Sequence, residues 1–391
     1  MDFSGFARPS GTGLQLADSN GRPYTAFVPA PLPPEAEADA VAANANALAE
    51  ANHALGQLDG LGLFLPNPDL LVRPYMRREA VLSSRIEGTQ TSFSDLVAVE
   101  TMPSTATADA REVLNYISAL NHGLRHVAAE GITADLVRTL HRLLMTSGRG
   151  GAFAAPGEFR MVQNQVGAGH ASQARYVPPP PDEAHDGMDA LFEYLVMSAT
   201  RTQTLVQAAW LHYQFEAIHP FLDGNGRIGR LLVPLLLAWR RGLSHPLLYV
   251  SPFFERHRRE YYDRLFAVSA ESDWPGWLGF FLEAVRSQAA QGVELAHSII
   301  ALGRTWHDRL TAARATQNAH RVADLVHQFI AVDARMAERM LGISPQTAYT
   351  SIRSLVAAGI LEEAFPDARR GRVYRAPELV LLMEAPPGLG A

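Results

Sequence analysis

The stretch from Ile218 to Arg230, Ile-His-Pro-Phe-Leu-Asp-Gly-Asn-Gly-Arg-Ile-Gly-Arg, gathers an imidazole, a carboxylate, two guanidiniums and a glycine-bearing turn. A loop that feeds a helix N-terminus points unpaired backbone N–H groups outward, so Gly224, Asn225 and Gly226 can cradle phosphate oxygens. Glycine leaves the approach to that backbone open. Beside the cradle stand a candidate base, His219, a candidate Mg²⁺ ligand, Asp223, and two candidate phosphate clamps, Arg227 and Arg230. These are the parts of phosphoryl or nucleotidyl transfer, in which positioning and charge neutralisation do most of the catalysis. Each residue alone also has a plainer role. Asp223 could cap a helix, His219 could sit in the turn before Pro220, and Arg227 and Arg230, three apart, could form a solvated helix face.

Two apolar runs must position this loop. One ends at Ile218 and the other is Leu231 to Trp239, which reads as helix, loop, helix over about residues 203–241, with Gly242 as the C-cap, Pro234 bending the second helix and Phe221 anchoring the loop in the core. The motif resembles the signature of the Fic family, His-Pro-Phe-x-[Asp/Glu]-Gly-Asn-Gly-Arg-x-x-Arg, at every fixed position. The resemblance implies a mainly α fold, a Fic helical core with a small β-hairpin flap. It also implies protein adenylyltransfer, in which AMP moves from ATP to a Ser, Thr or Tyr hydroxyl of a protein. His219 would take the hydroxyl proton, and Asp223 would hold Mg²⁺ on the phosphates. The backbone of Gly224 to Gly226 together with Arg227 would neutralise the leaving pyrophosphate, and Arg230 would hold the γ-phosphate. A relative that transfers γ-phosphate instead carries a lysine in this loop; here Gly226 stands there and the chain has no lysine, which favours AMP transfer.

The rest of the chain narrows the chemistry. All 34 Lys and Arg residues are arginine and cysteine is absent, so Schiff-base chemistry, lysine-based phosphate loops, disulfides and thiolate metal sites are excluded. A net charge of -6 gives no overall pull toward nucleic acid or membrane. No run reaches membrane-spanning length and no signal-peptide pattern opens the chain, so a cytoplasmic protein is expected. Residues 1 to about 35 read as an extended Gly- and Pro-rich arm, followed by a helix from Glu35 to Leu58 and a turn at Asn67-Pro-Asp69. A helix from Pro74 to Glu87 stops at Gly88, and on it Ser83 and Glu87, four apart, share a face. Glu87 in a last helical turn opposes the helix dipole and calls for a cation from elsewhere. The stretch resembles the family's inhibitory motif, [Ser/Thr]-x-x-x-Glu-[Gly/Asn], by which Glu87 would pair with Arg230 and keep it from the γ-phosphate.

Residues 89–108 read as a loop, and helices follow over Ala110 to Ala129 and over Thr133 to Thr146, with Thr133 as N-cap and His141 packed within. The break at Ser147 to Gly151 leads to Pro156-Gly-Glu-Phe-Arg160 and a Gly-rich stretch that ends in the proline run before Asp182, all of which resembles the Fic flap. Val166 and Gly167 of that flap are expected at the nucleotide, with Gln165 where an aromatic is frequent in the family. A helix from Asp182 to Thr200 leads on to the motif helices. Tyr261, in Arg259-Glu-Tyr-Tyr-Asp-Arg-Leu265, matches the position that borders adenine in the family, and Ser269 stands where the family often has asparagine.

Beyond residue 318 two amphipathic runs joined at Gly342 and a basic hairpin, Arg369 to Arg375, read as a winged helix-turn-helix. DNA would meet it through Ser344 to Arg353 and the wing; such units also dock proteins. The expected organisation is an N-terminal Fic-associated segment over 1–89, a Fic core over 90–300 and the winged unit over 318–391. ATP with Mg²⁺, a target protein that includes the chain itself, and a homodimer are the partners the resemblance implies. Removal of AMP by the same fold, and a DNA-binding regulator with a nucleotide-responsive core, are the alternatives.

Overall fold

The computed structural model describes all residues except 1–6, 9, 19, 64–66, 102–105, 147–154, 168–169, 199–201, 365–371 and 385–391. The first element is not an arm but an antiparallel sheet of β1 (Ala7–Arg8), β2 (Gly11–Ala17) and β3 (Pro23–Pro29), with Gly11 opposite Pro29 and Ala17 opposite Pro23. Asp18 makes the turn: its Oδ1 accepts from the N–H groups of Asn20 and Arg22, both at 2.9 Å. Such an Asx turn supplies hairpin geometry that Gly and Pro content alone conceals. The Phe27 N–H then donates to the Val177 carbonyl at 2.9 Å, which fastens the sheet to the end of the flap segment.

Helices α1 (Glu37–Ala43), α2 (Ala45–Leu63) and α3 (Asp69–Ile86) follow. Part of the expected loop over 89–108 is helical instead, as α4 (Phe93–Thr101); Ser92 and Asp95 bond reciprocally there, with each backbone N–H donating to the other side chain at 3.0 Å. Next come α5 (Ala108–Glu130), α6 (Ala134–Met145), with Thr133 accepting from the Leu136 N–H as its cap, and α7 (Pro181–Met197). The motif helices are α8 (Thr204–Ile218) and α9 (Asn225–Trp239), and α10 (Ser251–Arg256), α11 (Arg258–Glu271) and α12 (Trp274–Ala312) complete the core. All residues of α8 but Thr204 and Glu216 are buried, as suits a helix that is apolar on every side and central to the fold. Pro234 lies inside α9, and Arg240 rather than Gly242 caps that helix, with Arg241 taking the left-handed turn at φ 54°.

A buried polar knot fixes α3 against the core. Glu79 Oε1 accepts from Tyr116 of α5 at 2.9 Å and from Ser251 of α10 at 2.5 Å. Burial raises the Glu79 carboxyl above its ordinary value. Ser83 and Glu87 follow one and two turns later on the same face, which aims them at α9.

The C-terminal elements are α13 (Gln317–Phe329), β4 (Ala331–Asp333), α14 (Ala334–Leu341), α15 (Pro345–Ala357), β5 (Glu362–Glu363), β6 (Val373–Arg375) and α16 (Pro377–Glu384), with strand order β4-β6-β5. Asp333 and Ser344 cap α14 and α15, and Gly342 turns between them at φ 65°. Of the basic stretch Arg369 to Arg375, residues 369–371 lie outside the described residues. Glu378 ties this unit to α12, accepting from Trp306 at 2.8 Å and from Arg309 at 2.8 and 3.0 Å. Helix α12 itself runs unbroken past residue 300.

Candidate active site

His219 terminates α8 in the left-handed conformation, φ 52° and ψ 58°, which is costly for a residue with a side chain and needs support. The support comes from both sides of the loop. His219 N–H donates to the Phe215 carbonyl at 3.0 Å, and its Nδ1 bonds the Glu216 carbonyl at 3.2 Å. Asn225 then locks the turn reciprocally, accepting from the Phe221 N–H at 2.9 Å and donating to the Phe221 carbonyl at 2.8 Å. Phe221 is buried and stacks on His141 with centroids 3.7 Å apart. The N–H of Gly157 donates to His141 Nδ1 at 2.8 Å, so Nε2 carries the proton and donates to the Asp223 carbonyl at 3.0 Å. Burial pushes the His141 imidazole down to about 4, which keeps that single tautomer at neutral pH.

Gly224, at φ 81°, opens α9 without a side-chain cap. Asp223 is therefore not the N-cap: its Oδ1 accepts from the next N–H, Gly224, at 2.6 Å and leaves the first turn of α9 open to a ligand. His219, Asp223, Gly224, Asn225, Gly226 and Arg230 line one cavity of about 490 Å³, with Val166 and Gly167 on its flap side. That volume suits a small-molecule ligand. Burial pushes the His219 imidazole down to about 4 against the pull of the Glu216 carbonyl, so it is neutral at pH 7.

Glu87 enters the same cavity from the C-terminus of α3, where it caps the helix and Gly88 follows at φ 95°. Its Oε1 accepts from Arg230 Nη2 at 2.7 Å; Ser83 takes two more of the guanidinium's bonds, at Oγ and at its carbonyl, both 3.0 Å. Burial alone would raise the Glu87 carboxyl, but Arg230, Arg227 and His219 more than offset it and hold the group below the ordinary carboxylate range. Burial likewise disfavours the Arg230 cation, and Glu87 reverses that and raises it. The fit is close: a Cβ at Gly226 would stand 2.4 Å from Glu87 Oε1 and 3.0 Å from Arg230 Nη1.

Two expected residues lie elsewhere. Arg227 is buried behind the loop, with Nη1 on Glu112 at 2.9 Å and Nη2 on Asp223 at 3.4 Å, and does not line the cavity. Tyr261 is 0% exposed, and its hydroxyl meets His212 Nε2 at 2.8 Å in the core. The cavity residue is its neighbour Tyr262, together with Arg258, Leu265, Phe266 and Ser269. One residue along a helix is about 100° of rotation, so a match at one position does not decide which face looks at a ligand. The spacing of these five, four then three then one then three, carried the correct face in the sequence.

The flap is less regular than a hairpin. Among its described residues it holds one isolated antiparallel bridge, Val166 to Tyr176, and a 3-10 turn at Ala171–Gln173; Gly169 lies outside them. What fixes it is Arg160, 1% exposed, which reading the sequence left unassigned. Its guanidinium donates to the carbonyls of His219 at 2.9 Å, Val162 at 3.2 Å, Ile218 at 3.4 Å and Pro179. Asn164 and Tyr176 add bonds to the carbonyls of Phe221 and Ala217, both 2.8 Å. Arg160→Ala leaves several of these carbonyls unpaired at about 1–3 kcal/mol each. The expected outcome is a loss on the order of 3 kcal/mol or more, read from denaturant unfolding; an unchanged midpoint would show the bonds to be replaceable by water.

A helical core that holds a helix-loop-helix phosphate cradle beneath a bridging flap defines a Fic-fold protein. The profile of the Fic/DOC family N-terminal domain matches residues 45–125 and that of the Fic/DOC family domain matches residues 131–237. These two stretches of the chain are thus Fic/DOC family domains. It is 31% identical over 190 residues to the protein adenylyltransferase Fic of Nematostella vectensis, covering 47% of this chain and 41% of that protein. To the protein of the same name from Culex quinquefasciatus it is 34% identical over 163 residues, covering 41% and 30%. The chain thus spans less than half the length of these curated relatives. Among solved structures, a Fic family protein from Desulfovibrio desulfuricans G20 superposes with a TM-score of 0.53 at 22% identity, over 85% of this chain and 95% of that one. Fic-1 from C. elegans superposes with a TM-score of 0.51 at 19% identity, over 64% and 73%. These two likenesses bear on the fold.

Proposed function

We propose that the chain transfers AMP from ATP to a protein hydroxyl, and that Glu87 restrains it by occupying Arg230. The observation that carries this reading is the meeting of His219, the open first turn of α9 and the Glu87–Arg230 pair in one cavity. His219 Nδ1–H donates to the Glu216 carbonyl, which leaves Nε2 as the proton acceptor. The target hydroxyl gives its proton to Nε2 as its oxygen bonds to the α-phosphorus. The bond from that phosphorus to the oxygen bridging to the β-phosphorus breaks, and pyrophosphate leaves against the N–H groups of α9. Arg227 acts one step back, aligning Asp223.

The Asp223 side chain, 52% exposed, fits a Mg²⁺ ion held by one carboxylate and substrate phosphates. Among the described residues no cluster of three or more His, Asp or Glu is placed to hold a metal without such help. When bound, the ion neutralises phosphate charge. The protein target, self-modification and a homodimer belong to the same proposal, as does docking through α15, whose Gln346, Tyr349, Thr350 and Arg353 are exposed. Among the described residues no helix is long and apolar enough to cross a membrane.

The test is incubation with Mg²⁺ and ATP labelled at either the α or the γ position. The expected result is α-label on protein and γ-label in pyrophosphate. Label on protein from the γ position alone would reverse the nucleotide in the cavity and end the proposal.

A further inference from the structure

Glu216 lines the cavity, and its carboxyl has no part in proton removal or phosphate binding as described above. Along α8 the cavity residues are Tyr213, Glu216 and Ala217, with His219 closing the helix. Tyr213 belongs to the aromatic end, where its hydroxyl meets Ser269 Oγ at 2.9 Å beside Tyr262 and Phe266. His219, Gly226 and Arg230 mark the phosphate end. Glu216 therefore stands between the two, about 4.5 Å along the helix axis from Tyr213 and about 4.5 Å from His219. A nucleotide laid with its base on the aromatic end and its phosphates on α9 puts its sugar there.

One carboxyl oxygen, Oε1, is sealed against α9, where a Cβ at Gly229 would come within 2.4 Å, and so is closed to a ligand; the other oxygen, Oε2, is the one left for a sugar hydroxyl. Burial raises the group to about 8, with Arg230 pulling down and Glu87 pushing up. At neutral pH it is mainly the protonated acid, with one donor and an acceptor, which is what a sugar hydroxyl matches. A neutral acid also spares the polyphosphate an adjacent negative charge.

We propose that Glu216 reads the sugar: its carboxyl hydrogen-bonds a ribose hydroxyl of the bound nucleotide and selects ribonucleotides over their deoxy counterparts. This rests on the nucleotide reading above, and the test separates the two. Dissociation constants for ATP, 2′-deoxy-ATP and 3′-deoxy-ATP are measured on the full chain carrying Glu87→Gly, alone and combined with Glu216→Ala or Glu216→Gln.

In the parent, ATP is expected to bind about tenfold tighter than at least one deoxynucleotide, the worth of one neutral hydrogen bond. Glu216→Ala brings that ratio to about one by weakening ATP alone, whereas Glu216→Gln, which keeps a donor and an acceptor, retains most of it. Loss of packing would weaken all three ligands alike and leave the ratio intact. A ratio that survives Glu216→Ala, or a parent that binds all three nucleotides equally, overturns the assignment of Glu216 while leaving the nucleotide site standing. A parent that binds none of them overturns both.

Discussion

A Glu87→Gly protein is expected to transfer α-label from ATP about ten- to a hundredfold faster than the wild type. The magnitude follows from one contact. A hydrogen bond to a charged group contributes about 1.5–3 kcal/mol, and the Glu87 carboxylate holds Arg230 at 2.7 Å in a place where the guanidinium is fully buried. Nucleotide must displace that bond before Arg230 can meet its phosphate, so the bond's worth appears as lost affinity and lost rate. Glu87→Gln keeps the volume and loses the charge, and its activity falls between the two. Ser83→Ala, which removes only the 3.0 Å bond to Nε, gives a smaller change because the Ser83 carbonyl still holds Nη2. Label transfer timed with equal protein concentrations checks the order; equal rates in wild type and Glu87→Gly would remove the restraint from the mechanism.

In that background His219→Ala is expected to lower transfer by about 10²–10⁴-fold, the usual worth of a positioned base. ATP affinity stays within a few-fold, because the cradle backbone is held by Asn225, Phe221 and His141 rather than by the His219 ring. The pH profile gives the sharper check. Only the deprotonated imidazole accepts a proton, and burial places His219 at about 4. Activity is therefore expected to be flat from pH 7 down to about 5.5, through the range where an ordinary imidazole loses its free lone pair, and to fall only as pH approaches 4. A fall centred near the ordinary histidine value would mean that the ring is open to water when it works, or that another group is the base.

The loop from His219 to Arg230 was legible because its chemistry depends on neighbours in sequence. A helix end, a turn and a helix start are adjacent in the chain, and glycine, asparagine and arginine at fixed spacing specify them locally. The Glu87–Arg230 pair spans 143 residues, yet it was legible through resemblance because each partner sits in a motif of its own. Arg160 and His141 were not, since what they grip is backbone carbonyl and amide, which no side-chain pattern announces. Tyr261 was misplaced by one helical step, and the N-terminal sheet was missed although Asp18-Ser-Asn-Gly21 between two strand-like runs is itself a hairpin signal; the Gly and Pro content around it read as an extended arm.

The crowding at Gly226 also couples changes in this loop to the residue at position 87. No side chain can be added there while Glu87 keeps its place, since the first carbon would stand 2.4 Å from the carboxylate oxygen. A larger residue at 226 therefore displaces the Glu87 carboxylate from Arg230 and loosens the pair without any change at position 87. The two positions are coupled for steric reasons, so the effect of a change at 226 depends on whether a carboxylate stands at 87.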